Sequence, residues 1–140
     1  MAANTQPIFS NQGFIKWSTA ITAANTATDG TGTVTTIATG NASGNAAGNF
    51  IQKIIARPLG TNVASVVRLF ANNGSANTTA ANNALIAEVT LPAVTVSQVA
   101  AMTGIEIPLN FVLPASFNLN ATLGTAVAAG WIFTAVGGQY

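Results

Sequence analysis

Asp29, Glu88 and Glu106 are the only carboxylates in this 140-residue chain, Lys16, Lys53, Arg57 and Arg68 the only basic side chains, and histidine and cysteine are both missing. That inventory excludes a histidine base, a thiol nucleophile, a disulfide and an ordinary zinc or copper site. Paired-carboxylate catalysis needs two acids converging within about 5–9.5 Å. Glu88 and Glu106 fall on different expected strands, so each is expected to pair with a base such as Arg57 or Arg68, or to face solvent. Asp29-Gly30-Thr31-Gly32 starts a strand instead of following one, which makes it a turn and no dinucleotide loop. No acidic cluster has the ligand count of a calcium loop. The expectation is a non-enzyme with no catalytic residue, cofactor or metal. Four basic residues also cannot neutralise a run of phosphates, so no nucleic-acid partner is expected.

The charges that remain point to contacts. Arg57 closes a strand just before Pro58, and Arg68 lies within the alternating run 63–70, where it must reach an acceptor or water. An internal ion pair with Glu88 or Glu106 is one outcome; an inter-subunit pair or carbonyl contact is the other. Trp17, Trp131 and Tyr140 could stack on a sugar, although aromatic residues in sandwich strands usually serve the core. The four Asn-X-Ser/Thr sequons starting at Asn41, Asn73, Asn77 and Asn120 are what so much Asn and Thr supplies by chance, and they matter only in a secretory pathway.

The composition explains why chemistry is scarce. Charged residues make up 5% of the chain, against about 25% in an ordinary domain. Ala, Thr, Asn, Gly and Ser number 27, 19, 15, 13 and 7, together 81 of 140 residues. Such side chains are small and neutral, and a net charge of +1 favours association over dispersal. These features fit a subunit packed among many copies. The apolar fraction of 49% does not imply a membrane helix, because the best uncharged window, 122–138, is broken by Gly124, Gly130 and Gly137. The first ten residues have no basic residue and no apolar run, so no secretory signal is expected and the protein should be made and kept inside a cell until it assembles.

Period-two alternation supplies the architecture. Ile105, Ile107, Leu109, Phe111 and Leu113 form one inward set; Phe117, Leu119, Ala121 and Leu123 form another. With Pro114-Ala115-Ser116 between them, the two read as a hairpin. Pro108 lacks a backbone donor and so predicts a sheet edge or a bulge. Further strands are expected at 14–19, 31–39, 50–57, 64–71, 84–91 and 131–136, separated by Gly-, Pro- and Asn-rich turns. Eight short strands in one domain predict an all-β antiparallel sandwich of jelly-roll type over 13–140, preceded by an extended N-terminal arm over 1–12. Residues 94–102 should cross between sheets as a loop. Residues 40–49 repeat a Gly-Asn unit every four residues and read as a flexible loop; residues 72–83 read as an exposed hairpin loop.

Several of these stretches carry a resemblance. Ile55-Ala56-Arg57-Pro58-Leu59-Gly60-Thr61-Asn62-Val63-Ala64 leads to Arg68-Leu69-Phe70-Ala71-Asn72-Asn73-Gly74. Glu88-Val89-Thr90-Leu91-Pro92 follows, then Ile107-Pro108-Leu109 and Leu113-Pro114-Ala115. The C-terminal part runs from Leu123-Gly124-Thr125-Ala126-Val127-Ala128-Ala129-Gly130-Trp131 to Gly137-Gly138-Gln139-Tyr140. Together they resemble small virion-associated structural proteins of tailed bacteriophages, over most of the chain and with no catalytic signature. The resemblance implies a phage structural protein. Small size, a neutral sandwich surface and an arm narrow the expectation to a capsid decoration, or cement, protein on the capsid surface of the virion. Its partners would be the major capsid protein and neighbouring copies of itself, with a homotrimer suited to local three-fold axes and no membrane partner. Ile8 and Phe9 on the arm, Arg57, Arg68, Pro108 and Tyr140 are the candidate contacts. Alternatives are a tail-associated structural or host glycan-binding protein, and a cellular sheet or filament subunit.

Overall fold

The computed structural model describes residue 10, residues 12–40 and residues 47–140. Within them lie eight strands: β1 (Gln12–Trp17), β2 (Thr35–Thr39), β3 (Asn49–Pro58), β4 (Ser65–Asn72), β5 (Asn83–Leu91), β6 (Ile105–Leu113), β7 (Asn118–Leu123) and β8 (Trp131–Gln139). They form two four-stranded antiparallel sheets packed as a β-sandwich, a front sheet ordered β1-β8-β3-β6 and a back sheet ordered β2-β7-β4-β5. That order is a jelly roll, because only β4 and β5 follow one another within a sheet and every other connection crosses the sandwich. Residues 92–104, running from β5 to β6, are one such crossing, as expected; Val94 and Asn62 exchange backbone hydrogen bonds of 2.9 and 3.0 Å at its start.

The expected β6–β7 hairpin is corrected by this topology. The turn is present, with the Phe117 amide donating to the Pro114 carbonyl at 2.9 Å, but it carries the chain from the front sheet to the back sheet. Alternation shows that one side of each strand is buried; it is silent on which sheet the strand joins. The inward sets themselves are as expected. Ile107, Leu113, Leu119, Ala121 and Leu123 are buried, and Ile105, Leu109, Phe111 and Phe117 pack against the same cluster. Ile51, Ile54, Trp131 and Phe133 complete its centre.

Pro108 satisfies both of its expected settings. β6 is the edge of the front sheet, and the β3–β6 register jumps between Ile51↔Phe111 and Lys53↔Pro108, so Gln52 faces two residues of β6. Asn110, one of the two, has φ of 52°, in the left-handed region Asn tolerates. The β3–β8 register shifts at the same place, where Gly137 sits so close that a Cβ would run into the Phe50 carbonyl.

The two sheets differ in what covers their outer faces. On the back sheet the outward residues Phe70, Asn72, Asn120 and Thr122 are buried although Phe70 lies outside the central cluster. The long β1–β2 connection runs alongside the same sheet. Its Asn25 amide donates to Leu123 O at 2.7 Å, Gly30 packs on Asn83, and the Gly30 and Gly32 carbonyls accept from Asn77 Nδ2 at 3.3 and 2.7 Å.

The segment joining β4 to β5 is the exposed hairpin loop that was expected, but asparagine side chains hold it closed. Asn72 Nδ2 donates to Asn83 Oδ1 at 2.8 Å, Asn82 Nδ2 to Ala76 O at 2.8 Å and Asn83 Nδ2 to Asn77 O at 2.9 Å. The Gly-Asn repeat at 40–49 lies mostly outside the described residues.

Candidate interaction surface

The four basic and three acidic side chains are dispersed. Glu88 stands on β5 at the edge of the back sheet and Glu106 on β6 at the edge of the front sheet, so the two never converge. Each has a cross-strand base. Arg68 and Glu88 are register partners with Nε–Oε1 at 3.3 Å, which realises the internal pair expected for Arg68. Glu106 takes Lys53 instead of an arginine, at 2.9 Å. Both outcomes follow from antiparallel register, which sets residues of adjacent strands side by side. Asp29 is fully exposed and is held below its ordinary 3.8, first by the Thr31 hydroxyl donating at 2.6 Å and next by the Thr31 amide at 3.0 Å. Among the described residues no three metal-binding side chains cluster.

Arg68 is the most constrained charge. Its side chain is 15% exposed, and Nε and Nη1 are buried without a hydrogen-bond acceptor, since the contact to Glu88 lacks hydrogen-bond geometry. It lies in an open depression of the back sheet with Ser65, Thr90 and Thr125.

The expected contact residues divide between faces. Ile8 and Phe9 lie outside the described residues. Arg57 is exposed at the end of β3, in register with Ile132, and its side chain lies against Gly104. Pro108 is exposed on β6. Both project from the outer face of the front sheet, whereas Arg68 projects from the outer face of the back sheet. Tyr140 follows β8 and is half-buried. Trp17, Trp131 and Tyr140 do not assemble into one platform: Trp131 is buried in the core, while Trp17 stands in the open on β1.

What the front sheet does bring together is an apolar outer face. Trp17 is 64% exposed, Ile15 57% and Val112 44%. Register aligns Ile15, Val136, Lys53 and Pro108 in one row, and Trp17, Thr134, Ile55 and Glu106 in the next. Ile55, Ile132 and Val136 are half-buried between those edges. The signal for this face is in β3, where Phe50, Ile51, Ile54 and Ile55 place apolar residues on both sides of one strand. Comparison with known proteins adds nothing to it: no family model, no curated protein and no solved structure matches the chain.

Proposed function

We propose that this chain is a non-enzymatic structural subunit that acts by packing its sandwich against other protein surfaces in a large assembly. The observation that carries this reading is the apolar outer face of the front sheet, where Ile15, Trp17 and Val112 stand exposed, on a chain whose few charges are dispersed. With the resemblance to small virion proteins, the reading becomes a phage capsid decoration protein on the virion surface. Its partners are the major capsid protein and neighbouring copies of itself. Binding the assembled shell and not its separated subunits would stabilise the shell by RT ln(1 + [L]/Kd) per site. Burial of apolar area at about 25 cal/mol per Å2, less ordering costs, supplies the affinity.

A second reading, a tail-associated or glycan-binding protein, draws on exposed Trp17, because a free aromatic face is what sugar stacking uses. Cryo-electron microscopy of particles carrying this protein separates the two. Density repeated over the capsid lattice is expected for decoration; density confined to the tail or its tip would overturn it.

A further inference from the structure

The front sheet's outer face has a definite occupant if the chain is an assembly subunit, the reading on which this inference rests. We propose that it seats the same face of a second copy of this chain across a two-fold axis. On the back sheet the outward residues Phe70, Asn72, Asn120 and Thr122 are buried, while on the front sheet the outward Ile15, Trp17 and Val112 are exposed. Trp17 and Ile15 stand in the open beside the half-buried Ile55 and Val136.

Three features favour a second copy over an unrelated partner. The first is charge. The face carries Lys53 and Glu106, 2.9 Å apart, beside the edge strand β6, with Arg57 further along β3 as its second cation. Such a pair selects neither an acidic nor a basic partner, whereas a two-fold axis sets Lys53 of one copy toward Glu106 of the other. An isologous contact is self-complementary in this way. The second is size. Four strands about 4.8 Å apart and about 25 Å long give a footprint of roughly 500 Å2 in projection. Side-chain relief brings that toward the ~600–1,000 Å2 per partner of a standard interface. The third is shape. Aligned face-to-face packing of sheets is the geometry the sandwich already uses inside, with apolar residues interdigitating at a spacing of about 10 Å.

Sedimentation and light scattering on the full chain test this directly. The expected species at tens of micromolar is twice 14.1 kDa, about 28 kDa. Dilution should halve the mass and red-shift tryptophan emission, because Trp131 is buried in both states and only Trp17 changes surroundings. Ile15→Lys/Trp17→Lys, at positions exposed in the single chain, should keep the thermal transition of the single chain and raise the dimer Kd at least tenfold. Wild-type protein holding 14.1 kDa throughout, a three-copy species of about 42 kDa, or a double variant still dimeric would each overturn the two-fold contact. A monomer that still decorates capsids would remove this inference alone; a dimer absent from capsids would remove the decoration reading alone.

Discussion

Asparagine carries structural work that charged residues do elsewhere. The Asn62 side chain is buried and donates to Gly130 O at 2.9 Å while its Oδ1 accepts from the amides of Ala129 and Gly130 at 2.8 and 3.0 Å. It thereby locks the turn into β8, where Gly130 adopts φ of 89°. Asn62→Ala leaves those partners without their bonds and should cost about 3 kcal/mol. For a domain of this size that lowers Tm by roughly 10 °C, which thermal unfolding would register. The Asp29 turn makes a smaller prediction. Thr31→Val removes the hydroxyl but keeps the amide, so the Asp29 pKa should rise part of the way back toward 3.8 in an NMR titration. Because the folded-state value is depressed, the stabilisation from this group is complete above about pH 4 and fades as pH falls through the folded pKa. Unchanged titration in the variant would mean that the hydroxyl is not its main partner.

Strand register decides how the few charges behave. The β4–β5 pairing brings Arg68 and Glu88 together, yet Arg68 is largely enclosed and two of its nitrogens have no acceptor. Breaking a partly buried pair from one side leaves an uncompensated charge, whereas removing the enclosed cation relieves its desolvation. Glu88→Gln should therefore cost about 1 kcal/mol, limited by solvent screening at a carboxylate that is 47% exposed. Arg68→Met should fall within about 1 kcal/mol of wild type, or above it. Urea titration of both variants checks the order, and an Arg68→Met protein much weaker than Glu88→Gln would reverse the account. Much of this was legible beforehand: the run 63–70 already placed Arg68 where it needed an acceptor. Glu106 was not, because its partner Lys53 is set by the bulge at Gln52, which shifts the β3–β6 register by a residue. The loop at 72–83 was legible as a hairpin connection, while its closure by Asn72, Asn82 and Asn83 depends on side-chain geometry that composition does not encode.

As an assembly component the molecule would bind through apolar area and neutral hydrogen bonds. With 5% charged residues, its attachment should change little between dilute buffer and ~1 M NaCl, where ionic contacts are screened within about 3 Å. Particles that shed the protein at high salt would point to an ionic interface instead. Composition and alternation were enough to establish a domain without histidine or cysteine chemistry, eight strands near their observed positions, and the inward sets of β6 and β7. These are properties of short stretches, and a period of two is readable within any one of them. The sheet to which each strand belongs, the separation of Glu88 from Glu106, the burial of Trp131 and the exposure of Trp17 depend on contacts between residues far apart in the chain. An apolar residue on a strand's second face looks the same in sequence whether its own chain covers it or leaves it bare. Phe70 on the outer side of the back sheet is buried whereas Ile15 and Trp17 on the outer side of the front sheet are exposed, so it is the path of the folded chain that decides which second faces stay in the open.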